Sequence, residues 1–122
     1  LEGLVIVEPI EQRIERLEYY HKLMIELVES SKWPFHYLVM AKKLTEIEVG
    51  ELFELCEELT EEYKQQKTEG FVSFLPLFNT FKQKLNPKLS ALEVINALEQ
   101  ERLFIPLMTV FKQALMNEPK RK

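Results

Sequence analysis

The sequence predicts an all-α fold, a compact bundle of about five to six helices in which the first and third are long. Three observations carry it. Apolar residues recur at spacings of three and four through several long stretches. Two capping-box signatures, Thr45 with Glu48 and Ser90 with Glu93, mark helix starts. Only 3 glycines occur in 122 residues, which leaves little room for tight hairpins or a phosphate-cradling loop.

Taken in order, Pro9 suits a first helical position, and Ile10, Ile14, Leu17, His21, Met24 and Val28 follow at helical spacing. This first helix is expected to end near Ser30-Ser31. Pro34 opens a short second helix through Lys43, with Phe35, Leu38 and Val39 available for burial. Thr45 caps the third, whose apolar positions are Val49, Leu52, Phe53, Cys56, Leu59 and Tyr63, and Gly70 supplies the left-handed residue that closes it. Ser73 is expected to cap a fourth helix with Pro76 in its first turn and Phe74, Leu77, Phe78, Phe81 and Leu85 inward. Asn86-Pro87 stops it. Ser90 opens a fifth carrying Leu92, Ile95 and Leu98, and a sixth runs from about Phe104 through Leu107, Val110, Phe111 and Leu115. No stretch alternates long enough to make a strand, Leu4 to Val7 being the nearest to one.

A single helical domain over residues 9–117 follows, since no repeat, low-complexity linker or composition break divides the chain. Because the sequence opens on Leu1 rather than Met, residues 1–8 are expected to be flexible or vector-derived, and residues 118–122 to be a disordered basic tail. A composition of 46% hydrophobic and 30% charged residues is that of a globular protein able to hold a core without disulfides or metal. The one cysteine, Cys56, excludes an intrachain bridge and favours a reducing, cytoplasmic compartment. No apolar run approaches the ~20 residues of a membrane span, and Leu4 to Val7 lacks the flanks of a signal peptide.

A net charge of −4 argues against binding nucleic acid through its phosphates. The short second helix before a long third has the outline of a helix-turn-helix, but Glu46, Glu48 and Glu51 would be repelled from DNA. Those glutamates begin a run that continues with Glu54, Glu57, Glu58, Glu61 and Glu62, and glutamates spread around a regular helix do not converge on a cation. A solvated face is the expectation. Glu18 and His21 have the E-x-x-H spacing of di-iron bundles, which need two such pairs; this chain has one. Cys56 fits an apolar stripe and reads as a packing residue, and the phenylalanines of the fourth helix read as core. His36, beside Tyr37 and near Trp33, has no nucleophile motif to serve. No catalytic residue, cofactor or metal ligand is assigned.

The first-helix seam carries the most functional content. With Ile14, His21 and Val28 at heptad a and Ile10, Leu17 and Met24 at d, Arg13 falls at g and Glu18 at the following e, an attractive pair across a parallel homodimer. Two arrangements satisfy the seam: a contact with a second copy, or packing within the chain.

Several segments then show a resemblance in concert. Arg13-Ile14-Glu15-Arg16-Leu17-Glu18-Tyr19-Tyr20, Pro34-Phe35, Cys56-Glu57-Glu58-Leu59 and Gly70-Phe71-Val72, in this order and spacing, resemble the YhaI-like proteins of bacilli from about Ile10 to Met116. The resemblance implies a small all-helical cytoplasmic protein, oligomeric, with no assigned activity and no functional residues to carry over. The expectation is a non-enzymatic interaction or regulatory module that self-associates and docks another protein, without membrane or direct nucleic-acid contact. The alternative is a small-ligand-binding protein or enzyme using His21, His36 or an aromatic pocket inside the bundle. A third, a regulatory partner of a transcription or sporulation factor, follows only from the acidic face and the resemblance.

Overall fold

A computed structural model describes residues 8–28 and 31–117. Six helices run through them: α1 (Ile10–Leu27), α2 (Pro34–Ala41), α3 (Glu46–Thr68), α4 (Leu75–Lys84), α5 (Ala91–Gln100) and α6 (Ile105–Met116). No strand occurs among the described residues. The fold is all-helical, with α3 and α1 longest at 23 and 18 residues. The expectations made for Leu4 to Val7 and for residues 118–122 lie outside the described residues.

The helix starts follow the local chemistry. Thr45 and Ser90 accept from the amides of Glu48 and Glu93, whose carboxylates return to the amides of Thr45 and Ser90. Each box satisfies two backbone donors that a helix end would otherwise orphan. Ser73 does not cap α4. Phe74 occupies that place with no side-chain bond, and Pro76, with its preset φ, sits in the first turn instead.

The ends reveal a second device. Gly70, at φ 92°, closes α3 while the amide of Phe71 reaches back to the carbonyl of Gln66. The same left-handed closure ends α2 at Lys43 (φ 56°) and α5 at Arg102 (φ 60°), with Leu44 bonded to Val39 and Leu103 to Leu98. α2 accordingly stops at Ala41 rather than at Lys43, and α1 stops at Leu27 rather than near Ser30-Ser31.

The core is built by α2 to α6. α5 lies most closely on α6 and next on α2, while α3 runs along α4 and α6. Phe78, Phe81, Ile95, Leu98, Leu107 and Phe111 are fully enclosed, joined by Cys56 and Leu59 of α3. Two corrections concern its membership. Leu55, not singled out in the sequence, is buried with Leu52, Cys56 and Leu59, a stripe at i, i+3, i+4 and i+7. Leu92 is exposed, and α5 buries Val94, Ile95 and Leu98 with Ala91 at their edge. Residues three apart drift about 60° per step, which carries Leu92 about 120° away from Leu98, whereas Ala91, Val94, Ile95 and Leu98, at i, i+3, i+4 and i+7, stay within about 100°.

Glu48 is more than part of a charged face. Its carboxylate accepts from Lys88 Nζ at 2.8 Å, from the Thr45 amide at 2.9 Å and from Asn86 Nδ2 at 2.9 Å. The hydrogen bond from Lys88, then those from Thr45 and Asn86, lower its pKa from 4.5 to about 2. A depressed carboxyl contributes stability above its unfolded value and loses it as pH falls through the folded one. The stability gap between wild type and Glu48→Gln is therefore expected to be full above pH 4.5 and to close on approach to pH 2. Urea midpoints measured across that window check it, and a gap indifferent to pH would refute it.

Candidate functional site

α1 stands apart from this core. It buries none of its 18 residues, and its main neighbour is the short α2. Of the sequence-predicted seam, Ile10 is 64% exposed, Ile14 49%, Leu17 56% and Met24 51%, while His21 and Val28 are half-buried. Most of the seam is therefore left uncovered by the other described residues. Glu8 pairs with Arg16 beside the first turn, which Pro9 enters without a side-chain cap. The C-terminal half carries the half-buried positions, His21, Ile25 and Val28, a stripe at spacings of four and three.

Two apolar depressions adjoin α1 and α2. One, between the end of α1 and α2, is lined by Met24, Leu27, Val28, Lys32, Trp33 and Met40. The other, of about 430 Å³, lies between α2 and α3, with Phe35, Val39, Met40, Val49, Phe53 and Leu103 in its walls and His36 at its edge. Met40 lines both.

The histidine at this edge is held by Glu101, from the turn after α5. Glu101 Oε2 accepts from the amides of Phe35 at 2.5 Å and His36 at 3.0 Å, and Oε1 lies 2.9 Å from His36 Nδ1. Those amides belong to the first turn of α2, whose N-cap Trp33 offers no side-chain acceptor. A carboxylate from across the chain thus does the capping, in the favourable field of the helix N-terminus. The Trp33 ring stands edge-on to His36 at 5.5 Å. Glu101 was not among the residues the sequence singled out: it is 66 positions from Phe35, and no local spacing announces it.

The other candidates do less. His21 and His36 lie on different helices, and among the described residues no three His, Cys, Asp or Glu side chains converge as a metal site would require. Cys56 is fully enclosed, and burial, with the Glu57 charge second, pushes its thiol up to about 12, so it stays protonated and unreactive at neutral pH. Glu51, Glu54, Glu57, Glu58, Glu61 and Glu62 are all exposed, forming a solvated face. Among the described residues, no helix is long and apolar enough to cross a membrane. Residues 7–116, nearly the whole chain, match the family described as Protein of unknown function (DUF1878), and the chain belongs to that family.

Proposed function

We propose that this chain is a non-enzymatic helical interaction module that acts as a homo-oligomer in the cytoplasm, with α1 as its self-association element. The observation that carries this reading is the seam of α1, an 18-residue helix that buries none of its own residues. Helices in proteins owe most of their stability to the packing of an apolar face, which α1 does not find among the other described residues. The Arg13 and Glu18 heptad positions support a like partner, as does the likeness to the YhaI-like proteins of bacilli. A single cysteine, kept as a buried thiol, suits a reducing compartment. Docking of a further protein through an apolar groove is part of the same proposal.

Sedimentation at micromolar concentration is expected to give a dimer or higher oligomer, and Leu17→Glu to raise its dissociation constant about 30-fold or more while the core of α2 to α6 stays folded. A strict monomer in the wild type would remove the proposal. The rival reading, a small-ligand site or enzyme, draws on the groove beside His36. Its lining supplies one polar side chain, too few to orient a substrate.

A further inference from the structure

We draw no further inference here: the strongest candidate, the apolar groove between α2 and α3 taken together with the exposed face of α1, carries nothing, because nothing in the structure shows what covers either.

Discussion

Phe111→Ala is expected to cost about 3–5 kcal/mol, the usual range for removing a fully buried aromatic ring. For a chain of this size that lowers the Tm by roughly 10–25 °C. The site explains the magnitude. Phe111 is completely enclosed on α6, with the Phe78 ring at 5.4 Å and the Phe81 ring at 4.9 Å, both from α4. Aromatic pairs of this kind contribute about 0.5–1.5 kcal/mol each beyond their buried area. α4 has little to compensate with: it has 10 residues and no side-chain cap at its start. The change should therefore loosen α4 against α6 rather than act at one point. Met116→Ala, on the same helix but 75% exposed, is the control and should move stability by no more than about 0.5 kcal/mol. Thermal unfolding followed by circular dichroism separates the two, and a fall under about 5 °C for Phe111→Ala would mean that the three rings do not form the centre of the core.

Much of this architecture is legible in the sequence because it is local. The capping boxes at Thr45 and Ser90 lie within one helical turn, and both form as their residues imply. Gly70 closes α3 because a left-handed residue is needed there and glycine adopts it without strain. The same closure at Lys43 and Arg102 left no trace that sequence reading uses, since those residues are disfavoured at positive φ and only the folded chain shows the bonds from Leu44 to Val39 and from Leu103 to Leu98. The core face of α5 was misread at Leu92 because three apolar residues at a uniform spacing of three drift round the helix.

The candidate surface divides in the same way. The seam from Ile10 to Val28 is readable because helical periodicity marks it. Whether the chain covers it is a question of tertiary placement, which periodicity does not address, and only the exposure of Ile10, Ile14, Leu17 and Met24 answers it. The groove was unreadable for a related reason. Its walls come from Phe35 to Met40 on one side, Val49 and Phe53 on another and Leu103 beyond, three separate segments brought together by the fold.

Glu101 is the residue on which that groove depends, and Glu101→Ala is expected to cost about 2–4 kcal/mol. The carboxylate side chain is 7% exposed and caps two amides of α2 while meeting His36. Hydrogen bonds to a charged acceptor contribute about 1.5–3 kcal/mol, and removal leaves the amide donors of an otherwise uncapped helix without their acceptor. Glu101→Gln keeps one acceptor oxygen and should recover part of the loss. His36→Ala separates the roles of the pair. The imidazole is 64% exposed, and its deletion leaves both backbone bonds intact, so it should cost under about 1 kcal/mol. Equal losses in the two variants would show that the ion pair, not the cap, is what Glu101 provides.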